Sequence, residues 1–190
     1  MRRAVWALGV LAMLCVLGTA AALVVKPDRQ WLRAYGVRAA LPHEHWRLEP
    51  ATRAIRYDEQ ALVRAPAVYD AGSCPSAVTS SRAFVGLLPP VAGPVPSAVA
   101  GAATTWVRAV QGGLGAAVRP HGSRVDLDVP VPPGPCGPTT AHLTVVGRET
   151  PRGVVVLVLV RDVGEPGDLS AAEADRIVGS LAEDGRDAVR

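Results

Sequence analysis

Between Ala4 and Val25 the chain runs for 22 residues without a charged side chain. As a helix rising about 1.5 Å per residue, such a run spans the roughly 30 Å of a bilayer's hydrocarbon core. It predicts a transmembrane anchor, or an uncleaved signal, over residues 4–25. A cleaved signal usually has an apolar region of only about 7–15 residues. The small residues from Ala20 to Ala22 nevertheless suit a signal peptidase, so secretion after cleavage there stays open as the alternative. Arg2, Arg3 and the amino terminus favour a cytoplasmic position for residues 1–3. The remainder is then expected outside, on the outer face of the cytoplasmic membrane. Cys15 lies within the apolar run, preceded by Leu14 where lipoprotein processing needs a small residue, so it reads as an apolar packing residue.

An extracytoplasmic location gives the other two cysteines a meaning, because thiols outside the cytoplasm are not kept reduced. Cys74 and Cys136 are expected to form a disulfide. Both stand in turn sequence, Gly72-Ser73-Cys74-Pro75 and Pro135-Cys136-Gly137-Pro138, so the bridge would tie two loops. Two free thiols or a metal pair are the alternatives. Without a CxxC, and with no His at ligand spacing, no metal is expected.

Residues 26–41 show no clean period and are read as a stalk with one helical turn near Trp31 and Leu32. The rest of the chain is long enough for one domain, placed at residues 42–183, with 184–190 a disordered tail. Lys26 is the only Lys and Asn is absent, a bias that GC-rich codons impose and that suggests an actinobacterial source. Beyond the anchor 18 basic side chains face 17 acidic ones, which removes the electrostatic argument for nucleic-acid binding.

Alternation of apolar and polar residues predicts strands over His45 to Leu48, Ala54 to Tyr57, Ala65 to Tyr69, Ala83 to Leu88, Arg124 to Val131 and Thr140 to Gly147. Trp46 and Tyr57 are expected core anchors. The seven consecutive apolar residues Val154 to Val160 predict a central strand covered on both faces. Pro89 to Pro96 reads as a connector. Ser97 is expected to cap a helix with Val99, Ala102, Ala103, Trp106 and Val110 on one face, stopped by Gly112-Gly113. Ser170-Ala171-Ala172-Glu173 fits a capping box, with Ala174, Ile177, Val178 and Leu181 as the buried stripe of a final helix. The expected fold class is α+β: a largely antiparallel sheet of about six strands with two packed helices, preceded by an N-terminal transmembrane helix.

No phosphate-binding Gly-rich loop, nucleophile elbow or zincin helix occurs. His43-Glu44-His45 is the one cluster of ligand-type side chains, read as a polar approach to Trp46. His121 reads as a turn residue and His142 as a structural residue on a sheet face. Asp126 and Asp128 share a strand face and would form a paired-carboxylate site only with raised pKa values, which their solvent-facing position disfavours. Arg161 to Asp168 reads as the charged turn into the last helix. No catalytic, cofactor-binding or metal residues are assigned.

The layout resembles a group of actinobacterial exported domains of unknown function near the LpqN/LpqT lipoproteins, whose fold is Mog1/PsbP-like. The resemblance rests on Trp46, on Tyr69-Asp70-Ala71-Gly72-Ser73-Cys74 ahead of Ser81-Arg82-Ala83-Phe84-Val85-Gly86, on a helix carrying Trp106, and on Cys136-Gly137. It continues through an apolar strand leading into Asp162-Val163-Gly164 and a helix ending Ile177-Val178-Gly179-Ser180-Leu181, and so covers about Leu41 to Ala182. The acylated Cys of the lipoproteins is missing, so the apolar segment would replace the lipid. The resemblance implies a Mog1/PsbP-like sandwich, no known catalytic residues, and a binding or accessory role in the cell envelope with a protein or lipid partner. The rival expectation is a cell-envelope hydrolase, which needs a concave site with converging polar groups such as His142, Asp126 and Asp128. A sensor domain working with a membrane partner is a third.

Overall fold

A computed structural model describes residues 29–185 except 51, 58–59, 71, 73, 75–79, 112–114 and 132–139. The anchor at 4–25, the glycine stop at Gly112-Gly113, Cys15, Cys136 and the tail from 186 onward lie outside the described residues. The architecture is α+β, with two antiparallel sheets and, among the described residues, two helices. No helix of the described residues is long and apolar enough to cross a membrane.

The apolar run at Val154 lies within β9 (Gly153–Asp162), the centre of the larger sheet. Its residues from Val154 to Val160 are all buried, as a strand covered on both faces requires. On one side β9 pairs with β8 (Thr140–Thr150) and then β7 (Arg124–Pro130). On the other it pairs with β6 (Ala83–Val91), and β6 with β5 (Gln60–Tyr69). Strands β3 (Trp46–Leu48) and β4 (Ala54–Tyr57) pair with successive stretches of β5. All of these pairings are antiparallel.

Two layers cover this sheet. Helix α1 (Val95–Val110) packs Val99, Ala103, Trp106 and Val110 onto Val125, Leu143, Val145, Val156 and Val158. Gly147 permits the close approach, since a Cβ there would meet Val95 Cγ1 at 2.6 Å and Val99 Cγ2 at 2.9 Å. The opposite face carries Val85, Leu87, Leu157 and Leu159 and is covered by helix α2 (Ala171–Gly179) together with a hairpin, β1 (Arg29–Ala34) and β2 (Val37–Pro42). Strand β10 (Ala182–Glu183) joins β2 to complete a second, three-stranded sheet.

That hairpin corrects the expected stalk. Leu32, Val37, Ala39 and Leu41 are all buried in the core with Ile177 and Val178, so the domain begins by Arg29. The far boundary also moves. The Asp184 amide donates to the Gly36 carbonyl at 2.8 Å and its carboxylate pairs with Arg33, which ties Asp184 to the hairpin instead of a loose tail. Ten strands among the described residues replace the expected six or so. Strand β6 runs on through Pro89-Pro90, where its register with β9 shifts between Leu88 and Val91; a bulge is where proline's missing N–H is tolerated. Ser97 does not cap α1. The helix starts from Pro94 with Pro96 in its first turn, where amide donors have no intrahelical partner anyway.

Ser170 does cap α2, its Oγ accepting from the Glu173 amide at 3.2 Å. Trp46 is buried as expected, with Tyr69 as its aromatic neighbour at 5.3 Å between ring centroids. The side chain of Tyr57 lies outside the described residues.

Candidate functional site

The layer of α2 and the hairpin is smaller than the sheet beneath it, and two concavities result. The larger, about 550 Å³, lies between β2 and α2. Its apolar floor is Leu41 and Ile177, and its walls carry Arg29, Glu44, His45, Glu173 and Arg176. Local bonds build the walls. Gln30 Nε2 donates to the carbonyls of Pro42 and Trp46 at 3.0 and 2.8 Å, which fixes the loop bearing Glu44 and His45. The Ala40 amide donates to Ser180 Oγ at 2.8 Å, which joins β2 to the end of α2. Trp46 Nε1 donates to Glu173 Oε1 at 3.2 Å and holds that carboxylate at the groove.

His43, Glu44 and His45 form a loop in which His45 has φ +63°, so the strand expected from His45 opens one residue later, at Trp46. The backbone twist turns the His45 ring onto Tyr69, 5.6 Å away. Its Nδ1 lies 2.8 Å from Asp70 Oδ1. The carboxylate can only accept, so Nδ1 carries the proton. The hydrogen bond and charge of Asp70 raise the His45 pKa. The side chains of Arg29 and Arg176 have no hydrogen bond or ion pair among the described residues, which leaves two guanidinium groups at the groove available to a ligand.

The second concavity, about 270 Å³, lies where α2 stops short of β7 and β8. Strand register assembles it. Asp128 stands opposite His142, and His142 opposite Arg161, so three consecutive strands place these side chains in one row. The next row on that face is Asp126 and Thr144, and the one after it begins with Arg124. His142 Nδ1 lies 2.6 Å from Asp128 Oδ1. Thr144 Oγ1 donates to Asp126 Oδ1 at 2.9 Å. Arg124 bonds both Asp126 and, at 2.6 Å, Asp175 on α2. Burial alone would raise the Asp126 pKa, but the hydrogen bonds from Arg124 and Thr144 outweigh it and the net shift is downward. Asp126 is therefore a fixed anion, not a proton donor near neutrality.

Periodicity brings His142, Asp126 and Asp128 into view but puts Arg161 and Asp162 in a loop; both belong to β9. Asp162 pairs with Arg82 at 3.2 Å. Burial pushes its carboxyl up to about 6, against the hydrogen bond and charge of Arg82. An unfolded Asp titrates near 3.9, so between about pH 4 and 6 the folded state holds a proton that the unfolded chain has released. The contribution of Asp162 to stability therefore falls as pH rises through that window. Urea midpoints measured across it should drop in the parent relative to Asp162→Asn; parallel curves would show that Asp162 has its ordinary pKa.

Cys74 is 4% exposed and disulfide-bonded. Its partner lies outside the described residues, and Cys15 and Cys136 are the two other cysteines of the chain. No group of three or more His, Cys, Asp or Glu side chains suited to hold a metal ion occurs among the described residues.

No curated protein matches the chain. The family model described as a domain of unknown function, DUF8017, matches residues 23–185. That span takes in the hairpin, both helices and all residues of the two concavities, and the chain belongs to this family.

Proposed function

We propose that this is a membrane-anchored extracytoplasmic domain of the cell envelope with a non-catalytic binding role, exercised through the groove between β2 and α2. The observation that carries the reading is the groove itself: an apolar floor with the unpaired Arg29 and Arg176 and the acidic Glu44 and Glu173 around it. Such a lining suits recognition by apolar contact and a few oriented charges. Its place along the chain supports an envelope role. Arg29 opens β1 only four positions after Val25, so an anchor at residues 4–25 would hold the groove within about 15 Å of the bilayer, in reach of a lipid or a membrane-associated protein. A disulfide at Cys74 fits an oxidising compartment, and Cys136 is its proposed partner. The three layers are compatible with a Mog1/PsbP-like sandwich and with kinship to the LpqN/LpqT group from an actinobacterial source.

The hydrolase reading has one observation in its favour. His142 Nδ1 lies 2.6 Å from Asp128 Oδ1, and a carboxylate that orients an imidazole in this way is what a general base would need. The hydroxyl lining that pocket, Thr144, is already engaged by Asp126, which favours binding over nucleophilic chemistry.

A photo-crosslinking residue placed at position 176 in intact cells tests the groove. It should give an adduct with an envelope protein or lipid that is weakened by Glu44→Ala, while the same residue at Arg152, in the exposed β8–β9 turn, gives none. Identical adducts from both positions, or none from 176, would reject the groove as the binding surface.

A further inference from the structure

The outer face of the β1–β2 hairpin raises a separate question. Side chains alternate along its strands, so Leu32, Val37, Ala39 and Leu41 point into the core, while Arg29, Trp31, Arg33 and Arg38 share the opposite face. The register sets Trp31 across from Ala40 and Arg33 across from Arg38. Trp31 is 36% exposed, an unusual place for a large apolar ring. The guanidinium carbons of Arg38 and Arg33 lie 4.7 and 5.6 Å from the centroid of that ring, so the face presents an indole framed by cations. Arg33 pairs with Asp184. The side chains of Arg29 and Arg38 have no carboxylate partner among the described residues, and neither strand contains an acidic residue.

A tryptophan beside arginines suits a membrane–water interface. The indole rests at headgroup depth with its N–H toward water, and guanidinium groups bond lipid phosphates while their stems lie along apolar surface. The position of the face along the chain selects lipid over a soluble partner. Arg29 follows Val25 by four positions, at most about 15 Å of extended chain, so an anchor at residues 4–25 keeps this hairpin beside the headgroups.

We infer that the outer face of the hairpin docks on the bilayer in which the chain is anchored, with Trp31 entering the headgroup layer and Arg29 and Arg38 pairing with lipid phosphates. The inference rests on the anchor of the proposed function and adds an orientation to it. The β2–α2 groove, lined in part by Arg29, Ala40 and Pro42 of the same hairpin, then borders the lipid surface.

The test is tryptophan quenching in the full chain, reconstituted into vesicles of phosphatidylcholine and phosphatidylglycerol in equal parts with bromine on the acyl chains close to the headgroups. Such bromines quench only indoles that enter the bilayer. Trp46 and Trp106 are buried in the domain, so Trp6 and Trp31 are the two that can respond. Trp6→Phe leaves Trp31 as the reporter, and this chain should lose roughly a third of its emission, the share of one indole among three. Adding Arg29→Gln and Arg38→Gln should cut that quenching at least about twofold. Trp31→Phe, which keeps Trp6, reads the anchor by itself. Quenching of Trp6 without quenching of Trp31 overturns the docking and leaves the anchor standing, whereas absence of both signals overturns the two together. Quenching of Trp31 that the arginine changes leave unaltered also overturns the docking, because the phosphate contacts would then be absent.

Discussion

Breaking the disulfide at Cys74 lowers the unfolding free energy of the domain by about 4 kcal/mol, within a range of about 2–5. A bridge to Cys136 closes a loop of about 60 residues, and the chain-entropy account attributes the stabilisation to what that loop removes from the unfolded ensemble. The Cys74 segment is also bonded locally. The Cys74 amide donates to Ser80 Oγ at 2.8 Å and the Gly72 amide to the Ser80 carbonyl at 2.7 Å. Against a typical total of about 5–15 kcal/mol the loss is large. Urea unfolding of the oxidised chain and of Cys74→Ser measures it. Cys136→Ser should reproduce the loss and Cys15→Ser should leave stability unchanged. A loop to Cys15 would be of nearly the same length, so the pattern across variants, not the size of the effect, identifies the partner. The reverse pattern would overturn the pairing.

Leu32→Ala is expected to cost about 2–5 kcal/mol, because Leu32 is 2% exposed and its loss leaves a cavity against the core it shares with Leu41, Ile177 and Val178. In a stalk the same change would stay within about 0.5 kcal/mol. Leu48, 40% exposed on β3, supplies the control: Leu48→Ala should fall in that small range. Equilibrium unfolding of the two variants decides whether residues 29–42 belong to the folded unit. A negligible effect at Leu32 would restore the stalk.

The hairpin is hard to read from sequence for a physical reason. Strand β2 alternates as a half-buried strand should, with Val37, Ala39 and Leu41 inward, but its partner β1 buries only Leu32 fully. Trp31 on β1 stays partly exposed under the guanidinium of Arg38, 4.7 Å from its ring. The turn is built from Tyr35 at φ +56° and Gly36 at φ +80°. Two positive φ values fit a tight hairpin turn, yet a Tyr at the first position is not the residue that advertises one. By contrast, β7, β9 and the Ser170 cap obey local rules of alternation, run length and side-chain capping, and the sequence alone reveals them. The candidate sites are half legible on the same grounds. Periodicity puts His142, Asp126 and Asp128 on strand faces, but only the β8–β9 register sets Arg161 beside His142. Glu173 reads locally as a reciprocal cap, whereas its carboxylate accepts from Trp46, far away in sequence. Nonlocal pairing builds both concavities.

The proposal as a whole stands on a tethered domain facing an oxidising space. Blocking free thiols in intact cells, then separating membrane from soluble fractions and mapping cysteine peptides by mass spectrometry, tests it in one measurement. The chain should appear with the membranes, carrying Cys74 linked to Cys136. Recovery in the cytosol, with Cys74 bearing the blocking group, would contradict it.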